Sequence, residues 1–173
     1  MALLEDVTLT NSIEIKTTPE KIFHFFVNIV DDKSYRAWHP KDHVAFRWVE
    51  GRPWEEGSVV HAEEYIYGKL HKLKFIVTKV VPDKIIEYAP VSRLLRIYFP
   101  KNTFAVQQKE GTCIFTATVT CRVGWLIRTF AKKKLEHGLS SVRNHMKEEG
   151  ENLKKILEAE ECSHNKNIDS DKQ

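Results

Sequence analysis

The sequence predicts an α+β domain in which a curved antiparallel sheet wraps around one long C-terminal helix. The first observation is a run of strand-like segments in the middle of the chain: HVAFRWV, SVVHAEEYIY, LHKLKFIVTKVV, KIIEYAP, NTFAVQQK and TCIFTATVTCRV. The turn signals between them, such as GRPWEEG, YGKL, VPDK and KEGT, are short, which favours antiparallel neighbours joined as a meander. The second observation is the final segment, residues 125–160, which reads as a single helix. It is the only element long enough to close the concave face that a twisted sheet of this size develops. The space between such a sheet and such a helix commonly holds a cavity for an apolar ligand.

Taken in order, residues 7–15 alternate Val7, Leu9, Ile13 and Ile15, with Asn11 interrupting, as a half-buried strand does. TTPEKIFHFFVNI then opens a helix: Thr18 is placed to cap it, Pro19 suits its first turn, and Glu20 suits its positive end. Ile22, Phe23, Phe26, Ile29 and Val30 form its buried stripe. DDKSYRAW is a second short helix, stopped by Pro40. RLLRIYF fits either a helical turn or a strand. One domain is expected over residues 1–160, and residues 161–173, which include His164, read as a disordered polar tail.

Composition narrows the function. The chain is 42% hydrophobic and 29% charged, with formal net charge +3 from 27 basic and 24 acidic residues. That balance points away from nucleic acid, since Lys132, Lys133 and Lys134 read as a solvated helix face. No apolar run approaches the ~18 residues that span a bilayer, and MALLEDVTL lacks the basic start of a signal peptide. The cysteines, Cys113, Cys121 and Cys162, are odd in number and form no CxxC pair, so a reducing cytoplasm is expected. Trp38, Trp48, Trp54 and Trp125 read as core or pocket lining.

The chemistry concentrates at three places. At about 100° per residue, Leu135, Leu139, Val142, Met146, Leu153 and Leu157 fall on one stripe of the terminal helix. Glu149 lies beside that stripe, His145 at its edge, and Glu148 points away. A carboxylate there must be paired, protonated or bound to a cation, because burying it alone costs several kcal/mol. His145 and Glu149, one turn apart, bond each other, reach solvent past the end of the sheet, or both reach one metal ion. WHPKDH, residues 38–43, sets His39 and His43 around a proline turn. In EEYIYG, residues 63–68, alternation gives Glu64 the face of Val60, Ala62 and Ile66, while His61 and Glu63 point the other way. His61 and His71 are expected on the face opposite Glu64 or on another strand, solvated rather than catalytic, and His137 beside Gly138 at a helix kink or a cavity mouth.

With this order of elements, the chain resembles the helix-grip fold of the START/Bet v 1-like (SRPBCC) superfamily. Within it, WHPKDH, EEYIYG and HMKEEGENLKKIL together resemble the 2,4-diacetylphloroglucinol hydrolase (PhlG-type) domain family. That resemblance implies a Zn2+ ion held by two His and two Glu, here His43, Glu64, His145 and Glu149, with His39 as the reserve ligand. It implies Tyr35 as the residue that holds a substrate oxygen, and hydrolysis of a carbon–carbon bond in an aromatic ketone or diketone. Carboxylate-rich sites also accept iron or manganese. The chain lacks the N-terminal extension of the characterised hydrolase and has Phe46 where a polar Asn is expected. The rival expectations are a non-catalytic carrier of a lipid or polyketide, which rests on the fold alone, and an interaction module, for which no motif stands out. The expected partner is a small hydrophobic or aromatic molecule, without nucleic acid or membrane insertion, and a homodimer stays open.

Overall fold

The computed structural model describes residues 4–170, and side-chain surroundings to residue 160. The expected tail from 161 therefore lies outside the residues whose side chains are described. Seven antiparallel strands form one sheet in the order β1-β7-β6-β5-β4-β3-β2. The strands are β1 (Leu4–Ile15), β2 (His43–Glu50), β3 (Val59–Ile66), β4 (Lys69–Val81), β5 (Ile85–Pro90), β6 (Lys101–Lys109) and β7 (Thr112–Gly124). The helices are α1 (Pro19–Val27), α2 (Asp32–Trp38), α3 (Arg93–Tyr98), α4 (Trp125–Phe130) and α5 (Lys132–Ser170).

The period-two reading of the strands holds where one face is buried. On β1, Leu9 and Ile15 are buried, and on β7, Cys113, Phe115, Ala117, Cys121 and Val123 alternate into the core. These face α5 through Met146, Leu153 and Leu157, the stripe expected from the helical period. Each such leucine contributes roughly 1.5–3 kcal/mol by leaving water. Asn11, the break in the β1 alternation, is an inter-element tie: its Nδ2–H donates to the Met146 carbonyl at 3.4 Å. The close approach of α5 to β1 needs Gly150, where a Cβ would stand 3.1 Å from Asn11 Nδ2 and 3.4 Å from Ile13 Cγ2. Phe26 of α1 fills the interior by stacking on Phe104 at 4.8 Å and Phe115 at 5.4 Å.

Some expectations need correction, and two that were left open are settled. The terminal helix is broken at Ala131, so α4 and α5 are separate elements. Thr18 makes no side-chain cap bond to α1; its hydroxyl bonds the Glu20 carboxylate instead. Val30 and Trp125 are exposed rather than buried. RLLRIYF resolves as helix α3, because Ser92 caps it by accepting from the Leu95 N–H. His71 lies on another strand, as one of its two expected placements has it, and there it pairs across the sheet with Glu64 and is half-buried.

Candidate metal centre

Local structure carries each polar residue inward. Asp31 caps α2 by accepting from the Ser34 N–H at 2.8 Å. That helix ends in Tyr35 and Trp38, both buried. Trp38 Nε1–H donates to the Glu149 carbonyl at 3.0 Å, fixing α2 against α5 at the residue that matters. The chain then turns through Pro40 into β2, where a register shift between His43 and Ala45 sets His43 directly across from Glu64 of β3. Residues opposite each other in an antiparallel pair share a face, so His43 and Glu64 both point at α5. From α5, His145 and Glu149 project one turn apart toward them.

The four groups converge. Ligand atoms of His43, Glu64 and His145 all lie within 4.8 Å of one another. Glu149 Oε1 is 3.1 Å from His43 Nε2 and 3.5 Å from His145 Nε2. Glu64 Oε2 is 3.9 Å from His43 Nε2 and 3.7 Å from His145 Nε2. His43, His145 and Glu149 are buried. Tyr35 lies flat on His43, ring centroids 3.7 Å apart, and its hydroxyl donates to Glu64 Oε2 at 2.8 Å.

The hydrogen bonds around the imidazoles decide what this cluster can hold. His43 Nδ1 stands 3.0 Å from the Tyr35 carbonyl, which can only accept, so Nδ1 carries the proton. His145 Nδ1 is 3.3 Å from Asp42 Oδ2 and is assigned its proton on the same ground. A neutral imidazole has one N–H, and in both rings it is committed outward. Both Nε2 atoms therefore present lone pairs toward two carboxylates, an arrangement that needs positive charge between them. Protons can supply it. Burial alone would push His145 down, but the Glu149 charge and bonds to Glu149 and Glu64 hold it at about 11. Burial likewise would raise Glu149, and His145 and His43 instead hold it at about 2. A divalent cation supplies the same charge with all four groups unprotonated, and a mixed set of two imidazole nitrogens and two carboxylates suits zinc, iron or manganese. The residues fit such an ion.

His39, the reserve ligand, does not face this centre. Its Nδ1 accepts the Asp42 N–H at 3.1 Å, and its Nε2–H donates to Glu148 at 3.2 Å. Burial and the neighbouring imidazoles lower its pKa, in keeping with a neutral ring. Glu148, read from the helical wheel as pointing away, closes this outer layer with Lys41 at 3.3 Å. Two residues escaped the sequence reading. Asp42 sits within WHPKDH, yet nothing in one sequence reveals that its carboxylate meets His145. Tyr88 is an inner-face residue of β5 whose phenol is held protonated by burial and by the charges of Glu149 and Glu64. The same causes, burial first and then Glu64, keep Tyr35 protonated.

An open cleft of about 430 Å³, lined by Tyr67, His137, Ser140, Ser141 and Asn144, lies beside the centre. Ser141 stands one helical turn before His145 on α5. His137 lies edge-on against Tyr67 at 4.6 Å among the residues lining this cleft, and α5 continues through Gly138.

The profile of a family described as polyketide cyclase/dehydrase and lipid transport matches residues 6–158. A search of curated proteins found no significant match. Among solved structures, a Staphylococcus aureus protein of unknown function has a TM-score of 0.65 at 12% identity, covering 91% of this chain and 96% of that one. Thalictrum norcoclaurine synthase has a TM-score of 0.64 at 9% identity, covering 93% and 99%. The major latex-like protein 151 of Panax ginseng has a TM-score of 0.56 at 15% identity, covering 83% and 98%. At these identities the likenesses establish the Bet v 1-like fold.

Proposed function

The chain belongs to the polyketide cyclase/dehydrase and lipid-transport family, and from that premise we propose that it binds a small hydrophobic carbonyl compound beside a divalent metal ion, probed first as zinc, and hydrolyses it. The ion would be held by His43, Glu64, His145 and Glu149. The observation that carries this reading is the commitment of both Nδ1–H groups outward, so that in the neutral rings both Nε2 lone pairs face two carboxylates and one ion can take the place of the proton there. Family membership supports the hydrophobic ligand, and the three motifs named above support the finer assignment to carbon–carbon hydrolysis of an aromatic ketone.

When bound, such an ion acts as a Lewis acid toward a ketone oxygen and lowers the pKa of water. The protein's own groups do the rest. Tyr35 gives its one O–H to Glu64 and so orients that carboxylate, leaving its phenolic oxygen to accept from the substrate, while Tyr88 keeps its phenolic proton and would donate it to a substrate oxygen. Asp42 and the Tyr35 carbonyl fix the two imidazole orientations. The buried apolar residues beside the cluster, Phe46 and Ala62 among them, keep its surroundings dry. In the overall reaction, water adds to the acyl carbon, the acyl–aryl bond breaks with its electron pair on the ring carbon, and that carbon takes a proton.

The test is metal content by mass spectrometry of the tag-free protein, followed by turnover of acyl-phenols. About one metal per chain, lost in the His145→Ala, Glu149→Ala double variant, supports the centre. Turnover that Tyr35→Phe reduces while metal is retained supports the chemistry. A chain without metal even after zinc is supplied would overturn both. A second reading, a non-catalytic carrier, is favoured by the lipid-transport description of the family. A lipid retained through purification, with metal bound but no turnover, selects it.

A further inference from the structure

Two short helices of this protein are apolar without serving its core. Helices α3 and α4 bury none of their residues. Leu94 is 65% exposed, Leu126 55%, Ile97 47% and Phe130 79%. Surface helices of soluble domains normally turn their apolar residues inward, and a contiguous exposed patch marks an interaction site.

The topology gathers these helices at one end of the sheet. Helix α3 leads into β6, whose first residue, Lys101, pairs with Thr120 of β7. Helix α4 leaves that same strand after Gly124. Both helices touch β7. The β3–β4 hairpin, with exposed Tyr67 at its turn, reaches the same end, because β4 starts beyond the point where Phe75 meets Pro90 at the end of β5. Apart from Val30 and Val49, every large apolar residue exposed among the described residues lies at this end, which is also the end of the metal centre and its cleft.

Charge selects the occupant. From residue 88 to 109 and again from 111 to 135 the chain has no Asp or Glu. The same stretches carry Arg93, Arg96 and Lys101 at α3, and Arg122, Arg128, Lys132, Lys133 and Lys134 at α4. Part of this charge is met at the edges, Arg122 by Asp6 at 2.9 Å, Arg128 by Glu5, Lys101 by Glu87 at 3.7 Å and Lys132 by Glu136 at 3.8 Å. The remainder stands beside the apolar tips. A second copy docked through this face by a two-fold axis would set basic residues against basic ones. An anionic bilayer offers what the face lacks: an apolar layer for Leu94, Leu126 and Phe130, a headgroup zone for Trp125 and Tyr98, and phosphates for the lysines and arginines. No described helix is long and apolar enough to cross a membrane, so the contact is peripheral.

We infer that α3 and α4 form a docking surface for anionic phospholipid bilayers, which brings the cleft mouth to the membrane. The inference does not depend on the metal ion. Flotation of the full chain with vesicles of phosphatidylcholine alone, and with roughly a third phosphatidylserine, tests it. Retention is expected on the phosphatidylserine vesicles, weakening with added salt, with Trp125 emission moving to shorter wavelength and Trp125→Phe removing that shift. Leu94→Glu with Phe130→Glu should weaken retention at least about tenfold, and Lys133→Glu with Lys134→Glu should do so at low salt. These side chains are exposed, and circular dichroism checks that both variants remain folded. Equal binding to both vesicle types overturns the electrostatic half of the inference. Failure to bind phosphatidylserine vesicles, or binding that ignores both variants, overturns the whole. Should the chain ignore vesicles and form a dimer that Leu94→Glu with Phe130→Glu dissociates, the face belongs to a second copy.

Discussion

Glu63 and Glu64 are neighbours on β3 with opposite surroundings. Glu63 faces outward and meets His61 at 3.0 Å and Lys72 at 3.2 Å. Glu64 faces inward and meets the Tyr35 hydroxyl at 2.8 Å, with His145 at 3.7 Å and His43 at 3.9 Å. Both carboxyls are held below their ordinary range, but by different balances. For Glu63 the bonds to His61 and Lys72 lead, whereas for Glu64 burial pushes upward and His145 overcomes it. A His–Glu pair is therefore not a site by itself. On the outer face an ammonium already neutralises one carboxylate. On the inner face two carboxylates share a buried space with imidazoles and phenols, and the missing charge must arrive as protons or as a metal ion.

The sharpest way to break this contrast is Glu149→Gln. It removes a proposed ligand and takes from His145 Nε2 the carboxylate that stands 3.5 Å away, so metal affinity should fall more than about 100-fold, beyond the effect of an outer-layer change. In the metal-free state, stability should fall by roughly 3–5 kcal/mol, as when one partner of a buried pair is lost; isothermal titration and denaturant melts measure the two. Asp42→Asn comes next. It keeps all four proposed ligands but no longer fixes the His145 tautomer, and a 10–100-fold loss of affinity, roughly, with an unchanged fold is expected.

A pH series on chelator-treated protein sharpens the comparison without mutation. His145, raised to about 11 from an ordinary 6.5, contributes stability that is complete below about pH 6.5 and is lost as pH rises toward 11. Glu149, lowered to about 2 from 4.5, contributes stability that is complete above about pH 4.5 and is lost as pH falls toward 2. The metal-free melting temperature should therefore peak between those limits. With zinc the peak should move to higher pH, because the ion competes with protons for the same lone pairs. An identical profile with and without zinc would count against the centre. The smallest effect belongs to the outer face: Glu63→Gln should leave metal stoichiometry unchanged and stability unaltered within error, and a loss of metal there would erase the distinction between the two faces.

The period-two and helical patterns were sufficient to place Leu9, Phe115, Met146 and Leu153 in the core and to turn Glu64 and Glu149 inward, because burial of one face forces those periods on any sequence that folds this way. His145 was legible for the same reason, one turn from Glu149. The choice between His39 and His43 was not, since it depends on the register shift at the start of β2 and on which ring nitrogen a carbonyl or an amide reaches. Nor were Asp42 and Tyr88 legible, because cross-strand and inter-element distances have no trace in local spacing. The break at Ala131 and the exposure of Trp125 were also hidden: an apolar helical segment reads as buried whenever nothing in its own period says that the core ends before it. Local periodicity thus determined which faces turn inward, and only the tertiary arrangement decided which polar groups meet there and which apolar ones are left facing out.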